Sequence, residues 1–145
     1  MSLASVFDIA AMGMSAQTVR LNTTASNMAN ADTSASTEAE AYRARRPGFI
    51  AAQQQQYDQL QSLNREQASF GVMVQDIVQS QAPVTKAYAP NDPQANEEGY
   101  VFFSNVNTVE EMADMISASR SFQMNAEMMN TTKSMMQRLL TMGQR

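Results

Sequence analysis

The sequence predicts a mainly α protein with a small β-rich insert: long N- and C-terminal helices pair as a coiled coil around a β/loop knob. Three observations predict it. Apolar and small residues recur at heptad spacing near the N-terminus, and again near the C-terminus. Between them the composition changes to β-branched runs punctuated by Pro83, Pro90 and Pro93. The chain therefore divides into a helix over 1–31, a loop and β-rich insert over 32–107, and a second helix over 108–145.

The first helix rests on Phe7, Ala11, Met14, Thr18, Leu21, Ala25 and Met28, whose alternating spacing of three and four is an a/d series. Asp8 and Arg20 are its charged residues, and Ala10, Ala11, Gly13, Ser15 and Ala16 permit close approach of a neighbouring backbone. The stretch Asn22-Thr23-Thr24-Ala25-Ser26-Asn27 is weakly helical, because short polar side chains compete for backbone hydrogen bonds. Such a helix needs a partner, and the terminal helices are expected to order on assembly. Asn30 is suited to end it.

In the insert, Ala31–Ala41 reads as a loop of small residues, and a Gln-rich segment near 53–67 reads as a flexible insertion. Gly71–Val78 and Tyr100–Phe103 are the two strand candidates. The final helix carries Met112, Met115, Ser119, Phe122, Ala126, Met129, Lys133, Met136 and Leu140 on one heptad series. Thr108, three residues before Glu111, predicts a capping box, and Glu110, Glu111 and Asp114 favour the N-terminal end of the dipole. Arg138 and Arg145 suit its C-terminal end, with Gly143 as the C′ residue. The Met-rich face (Met112, Met115, Met128, Met129, Met135, Met136) suits either a core or an adaptable interface.

Composition excludes several functions. Of 145 residues 17% are charged and 43% hydrophobic, and the net charge is −4. That balance leaves no counterion-release footprint for nucleic acid, so Arg43, Arg45 and Arg46 read as a solvated strand or loop. The surface is weakly self-repelling, which suits packing against copies of itself. There is no cysteine and no histidine, which removes disulfides, thiolate metal sites and the usual general base. No phosphate-binding glycine motif occurs among five glycines. Asp92, Glu97 and Glu98 lack calcium-loop spacing, and helix capping accounts for Glu110 and Glu111. No catalytic residue, cofactor or metal is expected. The apolar N-terminal stretch lacks a basic n-region and contains Asp8, so a cleavable signal peptide is not expected, and no apolar run is long enough to span a membrane.

Two segments resemble a known family. Asn27-Met28-Ala29-Asn30-Ala31-Asp32-Thr33 resembles the N-x-A-N-x-x-T signature of bacterial flagellar rod and hook axial proteins. Gly99-Tyr100-Val101-Phe102-Phe103-Ser104-Asn105-Val106-Asn107 is similar to the G-Y-V-x-x-P-N-V-N segment of that family's proximal-rod branch. Glu110-Glu111-Met112, Met115-Ile116 and the run Ala118, Arg120, Phe122, Gln123 and Asn125 follow in the family's order. Ser104 stands where the family has proline, Phe122 where it has tyrosine and Met124 where it has alanine, and Tyr42 comes late after Thr33.

The resemblance implies a structural subunit of the flagellar proximal rod, exported by the flagellar type III apparatus and assembled in the periplasm into a hollow drive shaft that transmits torque. It implies as partners copies of itself, rod proteins of the FlgB, FlgF and FlgG kinds, and the rod-base adaptor FliE. The terminal helices would form the inner coiled-coil layer. The expected assembly seam is Phe7, Ala11, Met14, Leu21, Ala25, Met28, Met112, Met115, Phe122, Ala126, Met129, Met136 and Leu140. The expected motif residues are Asn27, Ala29, Asn30, Thr33, Gly99, Tyr100, Val101, Asn105, Val106, Asn107, Glu111, Arg120, Gln123 and Asn125. Alternative readings are another proximal-rod protein, a helical adaptor or secretion chaperone with one partner, and, last, an enzyme.

Overall fold

The structure, a computed structural model, describes residues 3–53 and 70–142. Helix α1 spans Leu3–Ala29 and helix α2 spans Thr108–Met142. Between them lie β1 (Ser34–Ala35), β2 (Arg45–Gln53), β3 (Phe70–Gln79), β4 (Thr85–Tyr88) and β5 (Tyr100–Phe103). The Gln-rich segment lies, beyond Gln53, outside the described residues, as do Gly143 and Arg145.

The two helices run antiparallel. Gly13 meets Asn125, and further along α1, Arg20 donates to Asp114, further back along α2, at 2.6 Å. A Cβ on Gly13 would sit 2.8 Å from the Asn125 side-chain nitrogen. Gly13→Ala is expected to be near neutral, since the flexible Asn125 tip can yield and helix propensity improves by about 1 kcal/mol. Gly13→Val is expected to cost about 2 kcal/mol by forcing the helices apart, which urea unfolding of the two variants checks.

The strands form two antiparallel sheets. β1, β5 and β4 make a three-stranded sheet with β5 at its centre, Val101 opposite Ala87 and Phe103 opposite Ser34 and Thr85. β2 and β3 pair from Arg45↔Gln79 to Gln53↔Phe70, with a register shift at Gly48/Phe49. α1 packs against both β2 and β3 as well as α2. The strand candidates Gly71–Val78 and Tyr100–Phe103 fall on β3 and β5. β2 and β4 escape the sequence reading because prolines sit within or beside them: Pro47 inside β2, next to the bulge that accommodates it, and Pro83 and Pro90 flanking β4.

The cap of α2 differs from the expected one. The Asn107 side-chain oxygen accepts from Val109 N–H at 3.1 Å and from Glu110 N–H at 3.4 Å, so Asn107 is the N-cap. Thr108 already lies within the helix, where its side chain cannot play that part. Asparagine caps at least as well as threonine.

Gly99 closes the loop into β5 with φ +76°, and a Cβ there would lie 2.9 Å from the Tyr88 ring. Tyr88 meets Tyr100 edge to face at 5.3 Å, and the Lys86 ammonium sits 3.9 Å from the Tyr100 ring centre. Gly99→Ala therefore meets both left-handed backbone strain and a clash. It is expected to lower the unfolding free energy by about 2 kcal/mol, read from the denaturant midpoint.

Among the described residues, the buried apolar side chains are Ala10, Ala16, Ala31, Ala41, Ala44, Val101 and Ala118. The large ones lie outside: Phe7, Phe49, Ile50, Met73, Ile77, Val78, Met112, Ile116, Met124 and Leu140 are all exposed. Apart from Val101 the fully buried apolar side chains are alanines, and much of the hydrophobic bulk is exposed or half-buried.

Candidate functional site

The inner faces of α1 and α2 are built from small and polar residues. On α1 the stripe is Ala10, Gly13, Gln17, Arg20, Thr24 and Asn27, spaced alternately by three and four. Ala10, Thr24 and Asn27 on it are buried. On α2 the buried residues are Glu111, Ala118 and Thr132, with Asp114 and Asn125 reaching α1 between them. Both inner stripes lie one position before the apolar heptad series read from the sequence.

That offset decides what faces outward. Of the expected seam, Phe7, Ala11, Ala25, Met112, Met136 and Leu140 are exposed, while Met14, Leu21, Met28, Met115, Phe122, Ala126 and Met129 are half-buried. The helix pair thus uses its small residues on itself and leaves its apolar stripe partly accessible. Burial of apolar area stabilises by about 25 cal/mol per Å², and this pairing collects little of it. The Gln17 amide oxygen is also buried with no hydrogen-bond partner among the described residues. An unmet acceptor of this kind costs about 1–3 kcal/mol.

Polar contacts hold the junction of helices and strands. Asn27 is 1% exposed. Its amide nitrogen donates to the Arg45 carbonyl at 2.8 Å, and its oxygen accepts from Arg45 N–H at 2.9 Å and from the Tyr42 hydroxyl at 3.0 Å. One side chain thus clasps the start of β2 to the last turn of α1. Asn105 does the same from the other side, accepting from Ala44 N–H at 2.7 Å and donating to the Ala82 carbonyl at 2.8 Å. Asn30 donates to the Ser26 carbonyl at 2.8 Å, and the Thr33 hydroxyl donates to the Asn30 carbonyl at 2.7 Å, which closes the turn after α1.

The motif residues therefore sort by place. Asn27, Asn30, Thr33, Gly99, Asn105 and Asn107 shape turns, caps and junctions; Tyr100 and Val101 belong to β5, and Val106 N–H donates to the Ser104 hydroxyl at 3.0 Å. Ala29 ends α1, exposed; Glu111 is buried; Asn125 meets Gly13. Arg120 and Gln123 are exposed on α2.

The arginine cluster is largely spent on ion pairs. Arg46 donates to Glu110 at 2.8 Å and Arg43 to Glu38 at 3.3 Å, while Arg45 lies 5.7 Å from the Tyr42 ring centre. The hydrogen bond to Glu110 holds the Arg46 pKa above its ordinary value, with burial opposing and the Glu110, Glu111 and Asp114 charges assisting. A cavity of about 290 Å³ at this junction is lined by Arg20, Thr24, Arg45, Arg46, Pro47, Phe49, Glu111 and Asp114. Among the described residues no group of acidic or other ligand side chains could hold a metal ion. The Arg20–Asp114 link could have been anticipated: Arg20 is the one basic residue of α1, and a half-buried guanidinium calls for a carboxylate on whatever packs there.

Comparison with known proteins meets this geometry at both ends of the chain. Residues 7–34 match the family described as flagella basal body rod protein, and residues 97–142 match the flagellar basal body rod FlgEFG protein C-terminal family. The chain is 44% identical over 144 residues to the flagellar basal-body rod protein FlgC of Salmonella typhimurium, covering 99% of this chain and 100% of that protein. It is 43% identical to FlgC of Escherichia coli O6:H1 over the same shares, and 32% identical to FlgC of Bacillus subtilis over 94% of this chain and 95% of that one.

Proposed function

Because this chain belongs to the FlgC family of flagellar basal-body rod proteins, and is thus a structural subunit of the bacterial flagellar rod, we propose that its outward apolar stripes are the surfaces by which rod subunits join. The observation that carries this is the inversion of its packing: alanines inside, and Phe7, Met112, Ile116, Met136 and Leu140 outside. Monomeric proteins seldom leave contiguous apolar stripes on both terminal helices uncovered.

On this reading residues 1–31 and 108–145 form the inner coiled-coil layer and residues 32–107 the outer knob. The seam runs along Phe7, Ala11, Met14, Leu21, Ala25 and Met28 on α1, and along Met112, Met115, Phe122, Ala126, Met129, Met136 and Leu140 on α2. The exposed Arg120 and Gln123 contact a neighbouring subunit. The partners are further copies, rod proteins of the FlgB, FlgF and FlgG kinds and the adaptor FliE. The chain reaches the periplasm through the flagellar type III export apparatus without signal cleavage, and the finished hollow shaft carries torque and passes exported subunits. A marginally stable, cysteine-free monomer suits that passage, since export needs an unfolded chain.

Deleting the gene is expected to abolish swimming and to leave cells without attached flagella, and a plasmid copy restores both. Normal motility in the deletion strain would refute the assignment. In the purified monomer, limited proteolysis is expected to cut first within 133–142, where every residue of α2 is exposed.

A further inference from the structure

Two unsatisfied surfaces lie on different parts of this molecule. The first is the end of α2. Thr132 is its last buried residue, and 133–142 continue as unbroken helix for about 15 Å. This tail exposes Met135, Met136, Leu139, Leu140 and Met142, the last two at 69% and 74%. The second is a groove of about 340 Å³ between α1 and β3, lined by Met12, Ser15, Ala16, Val19, Val72, Met73 and Val74.

The charges around them are opposite. From Met128 to Met142 the chain carries Lys133 and Arg138 and no carboxylate. Asp8 lies one turn before Met12 on α1, and Asp76 two residues beyond Val74 on β3, so carboxylates flank the groove. Both Asp8 and Asp76 are exposed and neither forms an ion pair among the described residues.

The tail cannot reach its own groove. α2 runs antiparallel to α1, passes Gly13 at Asn125 and continues away as one helix, whereas the groove lies back along α1 between Met12 and Val19. We propose that the α2 tail of one copy docks into the α1–β3 groove of the next, with Lys133 and Arg138 facing Asp8 and Asp76. Each copy then offers one tail and one groove. A contact between two different surfaces does not close on itself unless its rotation does, so it propagates as an open helical series. The methionines on both sides allow the contact to adapt where neighbours are not equivalent.

This inference rests on the rod-subunit reading and specifies the direction of its contacts. Because the chain has no cysteine, introduced thiols report it cleanly. Ser15→Cys in the groove and Met136→Cys in the tail would be expressed as the full chain in motile cells, singly and together, and rods isolated under mild oxidation. The double variant is expected to give a ladder of linked copies and each single variant none. Adding Met73→Asp, at a side chain already exposed in the monomer, is expected to reduce the ladder at least tenfold without changing the monomer's circular dichroism. Linkage of Met136→Cys to itself, linkage of Ser15→Cys to a different protein, or absence of any ladder in rods that assemble would overturn the docking. In each of those cases the rod reading stands; rods that assemble normally without this chain would overturn that reading instead.

Discussion

Asn27→Ala is expected to destabilise the monomer by about 3 kcal/mol. The change removes three hydrogen bonds, of 2.8, 2.9 and 3.0 Å. It also leaves the Arg45 N–H and carbonyl unpaired beside a site that is 1% exposed. Each stranded buried group costs about 1–3 kcal/mol, whereas removing both members of a pair costs much less. Tyr42→Phe deletes the hydroxyl's bond to Asn27 and its longer one, 3.4 Å, to the Ser26 hydroxyl, and should cost about 1 kcal/mol. Chemical unfolding of the two variants distinguishes the clasp from a mere helix end: equal, small losses would mean that Asn27 does no more than terminate α1. Since domain stabilities are about 5–15 kcal/mol, the Asn27 change should also lower the amount of chain that survives in the cell.

Val101→Ala is expected to cost about 2–3 kcal/mol. Val101 is 0% exposed in the central strand of the three-stranded sheet, and with Asn27 it is the largest fully buried side chain among the described residues. Removing two methyl groups forfeits their transfer energy, about 0.8 kcal/mol each, and leaves a cavity that the flanking β1 and β4 backbones cannot collapse to fill. Alanine replacement at Tyr88, 67% exposed on β4, should cost less than half as much. Thermal unfolding of the two variants gives the comparison, and equal losses would place the core elsewhere.

Periodicity made both helices legible because each is long, and a heptad pattern repeated over several turns outweighs poor local propensity. It did not reveal which neighbour the pattern serves. The inner stripes of Ala10, Gly13, Thr24, Glu111 and Ala118 are too small or too polar to register as a hydrophobic repeat. The strands followed the same logic. β3 and β5 are runs of β-branched and aromatic residues, whereas β2 carries Pro47 and Gly48 at its bulge and β4 is short between prolines. A proline within a run normally argues against a strand, and only the partner strand reveals that the missing N–H is tolerated.

The asparagine motifs show the same limit from the side of function. Their spacing marked the family, yet Asn27 and Asn105 act on Arg45, Ala44 and Ala82, residues distant in the chain. A hydrogen bond between remote backbone and side-chain groups leaves no periodic trace. Arg20 and Asp114 likewise meet only because the helices run antiparallel.

By itself the sequence determined two long helices at the ends, a β insert between them, and membership of a structural family, since all of these follow from residue type and local spacing. Tertiary structure alone decided that small and polar residues face inward and apolar ones outward, because a helix carries several overlapping stripes and only the packed partner selects among them. It also decided that the last turns of α2 stand free, because that depends on the unequal lengths of two helices lying side by side.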